Sequence, residues 1–70
     1  MEGSELLNLR TKHKVTQESL AEYLGYFTQG VPNRSMIARM EKGYQKINFR
    51  HRVLIENYFK GLEDLQNANS

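Results

Sequence analysis

The chain contains no cysteine and no tryptophan, and it has a single proline. Without cysteine, neither disulfide bonds nor a thiolate metal site can supplement the hydrophobic core. No apolar run is long enough for a membrane span or a signal peptide, so we expect a soluble cytoplasmic protein with no membrane partner. Its 70 residues are enough for one small domain, residues 1–70.

Residue types that enzymes use are scarce. The chain has two histidines and one aspartate, and it lacks a Ser/His/Asp order, a His-x-x-x-His pair and a phosphate-binding glycine loop. We therefore expect no enzyme activity, no metal site and no cofactor. We expect His13 to lie at the surface, and His51 to be a phosphate contact or a surface residue rather than a base.

Strand signals are also missing, because no stretch alternates between apolar and polar residues for long enough. Apolar residues recur instead at helical spacing, which predicts a compact all-α fold of four to five helices. Asn48 can cap a fourth helix that runs to about Lys60 and is broken by Gly61. The core is expected to span about residues 4–61, with a polar tail at residues 66–70.

The first predicted helix carries a charge in an unusual place. Ser4 can cap this helix, and Arg10 then falls on its apolar stripe beside Leu6 and Leu9. A charge on an apolar stripe requires a partner. Glu41, the one acid in an otherwise basic part of the chain, is the candidate, so we predict an ion pair between Arg10 and Glu41.

The segment 15–43 predicts two short helices joined by a connection. Thr16 can cap the first of them, and Gly25 supplies a left-handed stop. Because a proline precedes Asn33 and disfavours helix just before it, the second helix should begin at Asn33 or Arg34.

The connection, residues 26–32, is longer than the usual turn of a helix-turn-helix. Tyr26, Phe27 and Val31 are too apolar for a free loop. We therefore expect them to pack down as a lid on the core.

The second of these helices has two different faces. Ile37 and Met40 lie on one face. The other face sets small residues between long cationic side chains: Arg34, Ser35, Ala38, Arg39 and Lys42. Such a face can enter a DNA groove without steric hindrance. The alternative is an ordinary solvated amphipathic helix.

The net charge of +2 is small, but its distribution is uneven. Residues 33–52 carry six Lys/Arg against one acid, a net of +5, whereas residues 1–32 carry a net of −1 and residues 53–70 a net of −2. A basic block over one helix and the following loop is typical of phosphate binding, although a solvated basic face would look the same.

Taken together, the two helices resemble the lambda-repressor-like helix-turn-helix family, the Cro and phage-repressor type. The matching pattern is a Thr-Gln-x-x-Leu-Ala-x-x-Leu-Gly helix (16–25) and a helix ending Ile-x-x-Met-Glu-x-Gly (37–43), within a match over about residues 5–60. The connection is about six residues longer than is typical and resembles that of the POU-specific domain. The resemblance implies a lambda-repressor-like fold that binds DNA.

The resemblance also implies roles for individual residues. Arg10 and Glu41 would form a buried ion pair. The positions that face bases would be Arg34, Ser35, Ala38 and Arg39. Contacts to DNA phosphates are expected from Gln17, Asn33, Lys42, Tyr44, Lys46, Asn48 and Arg50.

We therefore expect a sequence-specific transcriptional regulator, a repressor, that binds double-stranded DNA with the helix 34–42. A homodimer on an inverted-repeat operator is expected, because one 70-residue copy has too little contact for tight specific binding. The expected dimer residues are Tyr58, Phe59, Leu62 and Leu65. The alternative is a protein-interaction module on the same fold, antitoxin-like or adaptor-like, which would expose aromatics or leucines on that helix.

Overall fold

The structure, a computed structural model, describes residues 1–68, and it is mostly helical. Within these residues the helices are α1 (Gly3–Lys12), α2 (Gln17–Leu24), α3 (Arg34–Lys42) and α4 (Phe49–Ala68). An antiparallel hairpin of two short strands, β1 (Phe27–Thr28) and β2 (Val31–Pro32), separates α2 from α3. The prediction of a compact, mostly helical fold is thus confirmed in outline.

The signals that begin and end α2 act as predicted, whereas Asn33, the N-cap of α3, makes no side-chain capping hydrogen bond. The hydroxyl of Thr16 accepts a hydrogen bond from the Ser19 N–H at 3.0 Å. Gly25 ends α2 with a φ of 83°, the left-handed conformation that favours glycine. α3 begins at Arg34, immediately after Asn33.

α1 begins earlier than predicted. Its N-cap is Glu2 rather than Ser4, and Glu2 and Glu5 form a reciprocal capping box. The Glu2 backbone N–H donates to the Glu5 carboxylate at 3.3 Å. A capping box satisfies two free donors of a helix start, which a single serine at position 4 would not.

The connection between α2 and α3 differs from the prediction in two ways. It forms a hairpin, because Gln29 and Gly30 have φ values of 54° and 79°, and two positive φ values match the twist of paired strands. The expected lid is wrong for Phe27 and Val31, which are 51% and 61% exposed. Only Tyr26 of the three packs against the core.

α4 continues through Gly61, so the predicted break there is wrong, and residues 66–68 of the predicted polar tail belong to this helix. Residues 69–70 of that tail lie outside the described residues. A glycine inside a helix costs only about 1 kcal/mol relative to alanine. Phe59 and Leu62 pack on the core on either side of Gly61, and this packing offsets that cost.

The continued α4 also covers His13, which was expected at the surface. The His13 side chain is only 3% exposed, and its Nε2 lies 3.3 Å from the Glu63 carboxylate. Its ring centroid is 5.3 Å from that of Phe59. The surface prediction is therefore wrong, because Phe59 and Glu63 of α4 pack against this side chain.

The hydrophobic core lies where α1, α2 and α3 meet α4. Its buried residues are Leu6, Leu20, Ala21, Ile37, Met40, Ile47, Ile55 and Phe59. Ile47 was not predicted, because it stands between polar loop residues with no periodic neighbours. Its burial anchors the loop that follows α3.

Gly3 allows α1 to approach the end of α3 closely. A Cβ at this position would lie 2.3 Å from the Met40 carbonyl oxygen and 2.6 Å from that of Glu41. We therefore expect Gly3→Ala to destabilise the domain by about 1–3 kcal/mol, as overpacked sites do. Thermal melting should show a fall of about 4–8 °C per kcal/mol for a domain of this size.

Ser4→Ala is the matched control, since Ser4 is exposed in the same helix turn. It should change stability by less than about 0.5 kcal/mol. Equal melting temperatures for Gly3→Ala and Ser4→Ala would contradict the close contact between α1 and α3.

Candidate nucleic-acid interface

α3 separates an apolar face from a cationic one. Ile37 and Met40 are fully buried in the core. The predicted base-facing residues and Lys42 lie on the other side: Arg34, Ser35, Arg39 and Lys42 are exposed, and Ala38 is half-buried. The exposed face therefore presents long cationic side chains with small residues between them.

Arg10 of α1 and Glu41 of α3 form an ion pair that is largely closed to solvent. The side chains are 17% and 6% exposed, respectively. Nε and Nη2 of Arg10 donate to the two carboxylate oxygens of Glu41, the latter at 3.3 Å. Nη1 of Arg10 donates to the Val15 carbonyl oxygen at 3.0 Å. The pair thus joins α1, the segment before α2 and the end of α3.

Gln17 belongs to the same network. Its side-chain nitrogen donates to Oε1 of Glu41 at 2.9 Å, so the structure directs this amide toward the ion pair. Sequence reasoning placed Gln17 only at a phosphate. Thr16 already accepts from the Ser19 N–H, so a phosphate contact at Gln17 can use the remaining free N–H groups at the start of α2.

Arg34 has an acidic neighbour that the sequence did not suggest. Its Nη1 lies 3.6 Å from Oε1 of Glu18, the second residue of α2. The two side chains are 70% and 53% exposed, so water screens this pair and it contributes little to stability. Arg34 can therefore leave Glu18 for another acceptor at low cost.

The loop after α3 is held in a defined conformation. The backbone N–H groups of Tyr44 and Gln45 both donate to the Arg39 carbonyl oxygen, at 2.9 and 3.2 Å. Ile47 is buried, and Asn48 caps α4 by accepting from the His51 N–H at 2.9 Å. Side chains on this loop therefore project from a fixed backbone.

The other predicted phosphate contacts differ in their exposure and in the hydrogen bonds that they make. Five of them are exposed and lie on α3, the following loop or the start of α4: Lys42, Tyr44, Lys46, Asn48 and Arg50. The two asparagines have structural tasks as well. The Asn33 N–H donates to the Tyr26 carbonyl oxygen at 2.9 Å, and Asn48 uses its side-chain oxygen as a cap.

His51 contacts the base of the hairpin rather than lying free in the basic block. The Tyr26 hydroxyl lies 3.1 Å from its Nδ1 and also contacts its Nε2, and the rings meet edge to face at 5.3 Å. Burial raises the pKa of Tyr26, and the nearby Arg50 charge partly offsets this shift. The phenol therefore keeps its proton at neutral pH, and its O–H can donate a hydrogen bond to a ring nitrogen of His51. Sequence reasoning missed this contact.

The expected dimer residues differ in how far they are exposed to solvent. Phe59 is 2% exposed and belongs to the core, so its assignment to a dimer surface is wrong. Phe59 lies about one helical turn after the buried Ile55, so both side chains face the core. Tyr58 is half-buried with its ring centroid 4.7 Å from that of Tyr23, and Leu62 is half-buried against the core. Leu65 is 64% exposed.

The charge of this surface is mainly positive, although Glu18 lies near Arg34 and Glu56 pairs with Arg52. Between positions 42 and 55 the chain has four Lys/Arg and no acid. Glu41, just before this stretch, is paired with Arg10 and hydrogen-bonded to Gln17. Within residues 1–68, no three His, Asp or Glu side chains gather as metal ligands. In that same range, no helix combines the length and apolar character needed to cross a membrane.

Comparisons with protein-family models, curated proteins and solved structures give no match to this chain. The functional interpretation therefore depends on the residues and the geometry described above.

The Arg10–Glu41 pair can be tested by removing the acid. Glu41→Ala leaves the Arg10 charge enclosed without a carboxylate, which should cost about 3–5 kcal/mol. A domain of this size has only about 5 kcal/mol of stability, so we expect the variant to be largely unfolded at about 37 °C by circular dichroism.

Glu56→Ala is the control, because it breaks an exposed ion pair with Arg52 at 3.0 Å. That loss should be about 0.3–0.5 kcal/mol. If Glu41→Ala melts at the same temperature as Glu56→Ala, the enclosed pair does not stabilise the fold.

Proposed function

We propose that the chain is a sequence-specific transcriptional regulator, a repressor, that binds double-stranded DNA by placing α3 in the major groove. The observation that supports this most strongly is the outward face of α3. Arg34 and Arg39 flank the small residues Ser35 and Ala38, which let a helix approach the base edges. Each guanidinium can donate two parallel hydrogen bonds to O6 and N7 of guanine.

The basic residues around α3 fit contacts to the DNA backbone. Lys42, Lys46 and Arg50 are exposed at the end of α3, on the loop and at the start of α4. Phosphate contacts from such residues fix the position of a protein on the duplex without reading its sequence. The free N–H groups at the start of α2 supply a further phosphate contact at Gln17.

We further propose a lambda-repressor-like fold with a POU-specific-like connection. The capped α2, the left-handed stop at Gly25 and the Arg10–Glu41 pair support this proposal. The hairpin accounts for the extra length of the connection while α3 still packs directly on α2.

A protein-interaction module is the second candidate. Tyr23, Phe27 and Val31 are 45%, 51% and 61% exposed, which gives α2 and the hairpin an apolar surface. None of these three residues belongs to α3, and α3 itself exposes no aromatic residue or leucine. DNA binding by α3 is therefore the better supported function.

We propose that the regulator acts as a homodimer through α4. Leu54, Tyr58, Gly61 and Leu65 recur at intervals of four, three and four residues, the spacing of a helix-packing seam. All four are half or fully exposed, and a Cβ on Gly61 would meet nothing within the protomer. A glycine there lets a second α4 approach closely. The two α3 helices would then read an inverted repeat with half-sites about 34 Å apart.

Substituting a base-reading residue and substituting a phosphate-binding residue should affect DNA binding differently. After selection of the preferred site from random duplexes, Arg34→Ala should lose about 1–3 kcal/mol of affinity and relax the preference at one base pair per half-site. Arg39→Ala should do the same at another base pair. Lys46→Ala should weaken binding to all duplexes alike and reduce the salt dependence by about one counterion per subunit.

A panel of single-base changes in the selected site measures these effects. If Arg34→Ala lowers affinity evenly and leaves every base preference intact, α3 does not read DNA with this face.

The dimer is tested at Leu65 and Gly61, neither of which is buried in the protomer. Leu65→Asp and Gly61→Leu should fold normally, yet sediment as monomers and bind the inverted repeat more weakly. Phe27→Asp, at a similarly exposed apolar residue on the hairpin, should remain dimeric. Sedimentation of the unmodified chain as a monomer, both free and on DNA, would rule out the α4 dimer.

A further inference from the structure

Tyr44 and Phe49 are the most exposed large apolar side chains of the described residues. They are 80% and 77% exposed. Within the described part of the chain, neither ring stacks on another aromatic ring. They contribute little to the core, and exposed apolar groups rimmed by polar residues are typical of interaction sites.

The backbone holds both residues in place. Tyr44 follows the left-handed Gly43 that ends α3, and its N–H donates to the Arg39 carbonyl oxygen at 2.9 Å. Phe49 is the first residue of α4, directly after its cap Asn48. Because the backbone on either side of the buried Ile47 is fixed, a partner would bind these rings with little loss of chain entropy.

The surroundings of the two rings select an anionic partner. Lys42, Lys46 and Arg50 lie in the same stretch, which contains no acid between positions 42 and 55, whereas Arg52 is paired with Glu56. The partner must therefore offer negative charge together with apolar surface. A DNA backbone offers both, since phosphates alternate with deoxyribose rings along each strand.

We propose that Tyr44 and Phe49 pack against deoxyribose rings of the duplex beside the groove that α3 enters. This inference rests on the proposed DNA binding by α3 and extends it, because it assigns a sequence-independent apolar contact to the loop after α3. Base faces are not available to these rings in an intact duplex, whereas sugars are. Lys46 and Arg50 hold the adjacent phosphates, and the rings cover the sugars between them.

Removing an apolar contact and removing a charge should have different effects on the salt dependence of DNA affinity. Tyr44→Ala and Phe49→Ala should each weaken binding to specific and random duplexes by about tenfold per subunit. The slope of affinity against salt, measured between about 50 and 200 mM, should not change, because no counterion contact is lost. Lys46→Ala should flatten that slope.

The control variant is Phe27→Ala, which removes an exposed phenylalanine from the hairpin. It should bind duplexes as the unmodified chain does. All of these side chains are exposed, so each variant should keep the unmodified melting curve, which is measured first.

Two outcomes separate this inference from the proposed function. If the unmodified chain binds no duplex, both fail. If it binds duplexes and the Tyr44→Ala and Phe49→Ala variants bind equally well, only the sugar contact is wrong.

Binding assays with the same variants distinguish duplex DNA from other anionic partners. Loss of binding to a single-stranded oligonucleotide, with duplex binding unchanged, would overturn the proposal in favour of base stacking. Loss of binding to phosphatidylserine vesicles, again with duplex binding unchanged, would overturn it in favour of a membrane surface.

Discussion

One enclosed carboxylate, that of Glu41, determines how the first three helices meet. It accepts hydrogen bonds from Arg10 and from Gln17, and Arg10 also holds the Val15 carbonyl oxygen. A charge closed off from water is costly unless it is paired and hydrogen-bonded, so these groups must lie together at the end of α3. Gly3 permits this arrangement, because no side chain keeps α1 from the last carbonyls of α3.

The same interaction shapes the outer surface. Glu41 is the only acid between positions 33 and 52, and its pairing with Arg10 withdraws it from solvent. The exposed side chains of that stretch are therefore cationic or neutral, with Glu18 of α2 as a weak partner of Arg34. Burial of one acid in this way leaves a surface whose exposed charge is mainly positive.

The parts that could be predicted from sequence depend on local signals. The Thr16 cap, the Gly25 stop and the placement of Arg10 on an apolar stripe each point to one structure. Other features depend on tertiary contacts. α4 crosses Gly61 because residues on both sides pack on the core, and the outward direction of Phe49 follows from where α4 docks. The hairpin has strands of two residues, too short for any alternating pattern.

Amide chemical-shift mapping by NMR tests most directly whether the surface formed by α3 and the following loop binds DNA. On titration with a short duplex near physiological salt, we expect the largest shifts in residues 34–50 and at the start of α2. Shifts confined to Tyr23, Phe27 and Val31, or no shifts at all, would contradict DNA binding by α3.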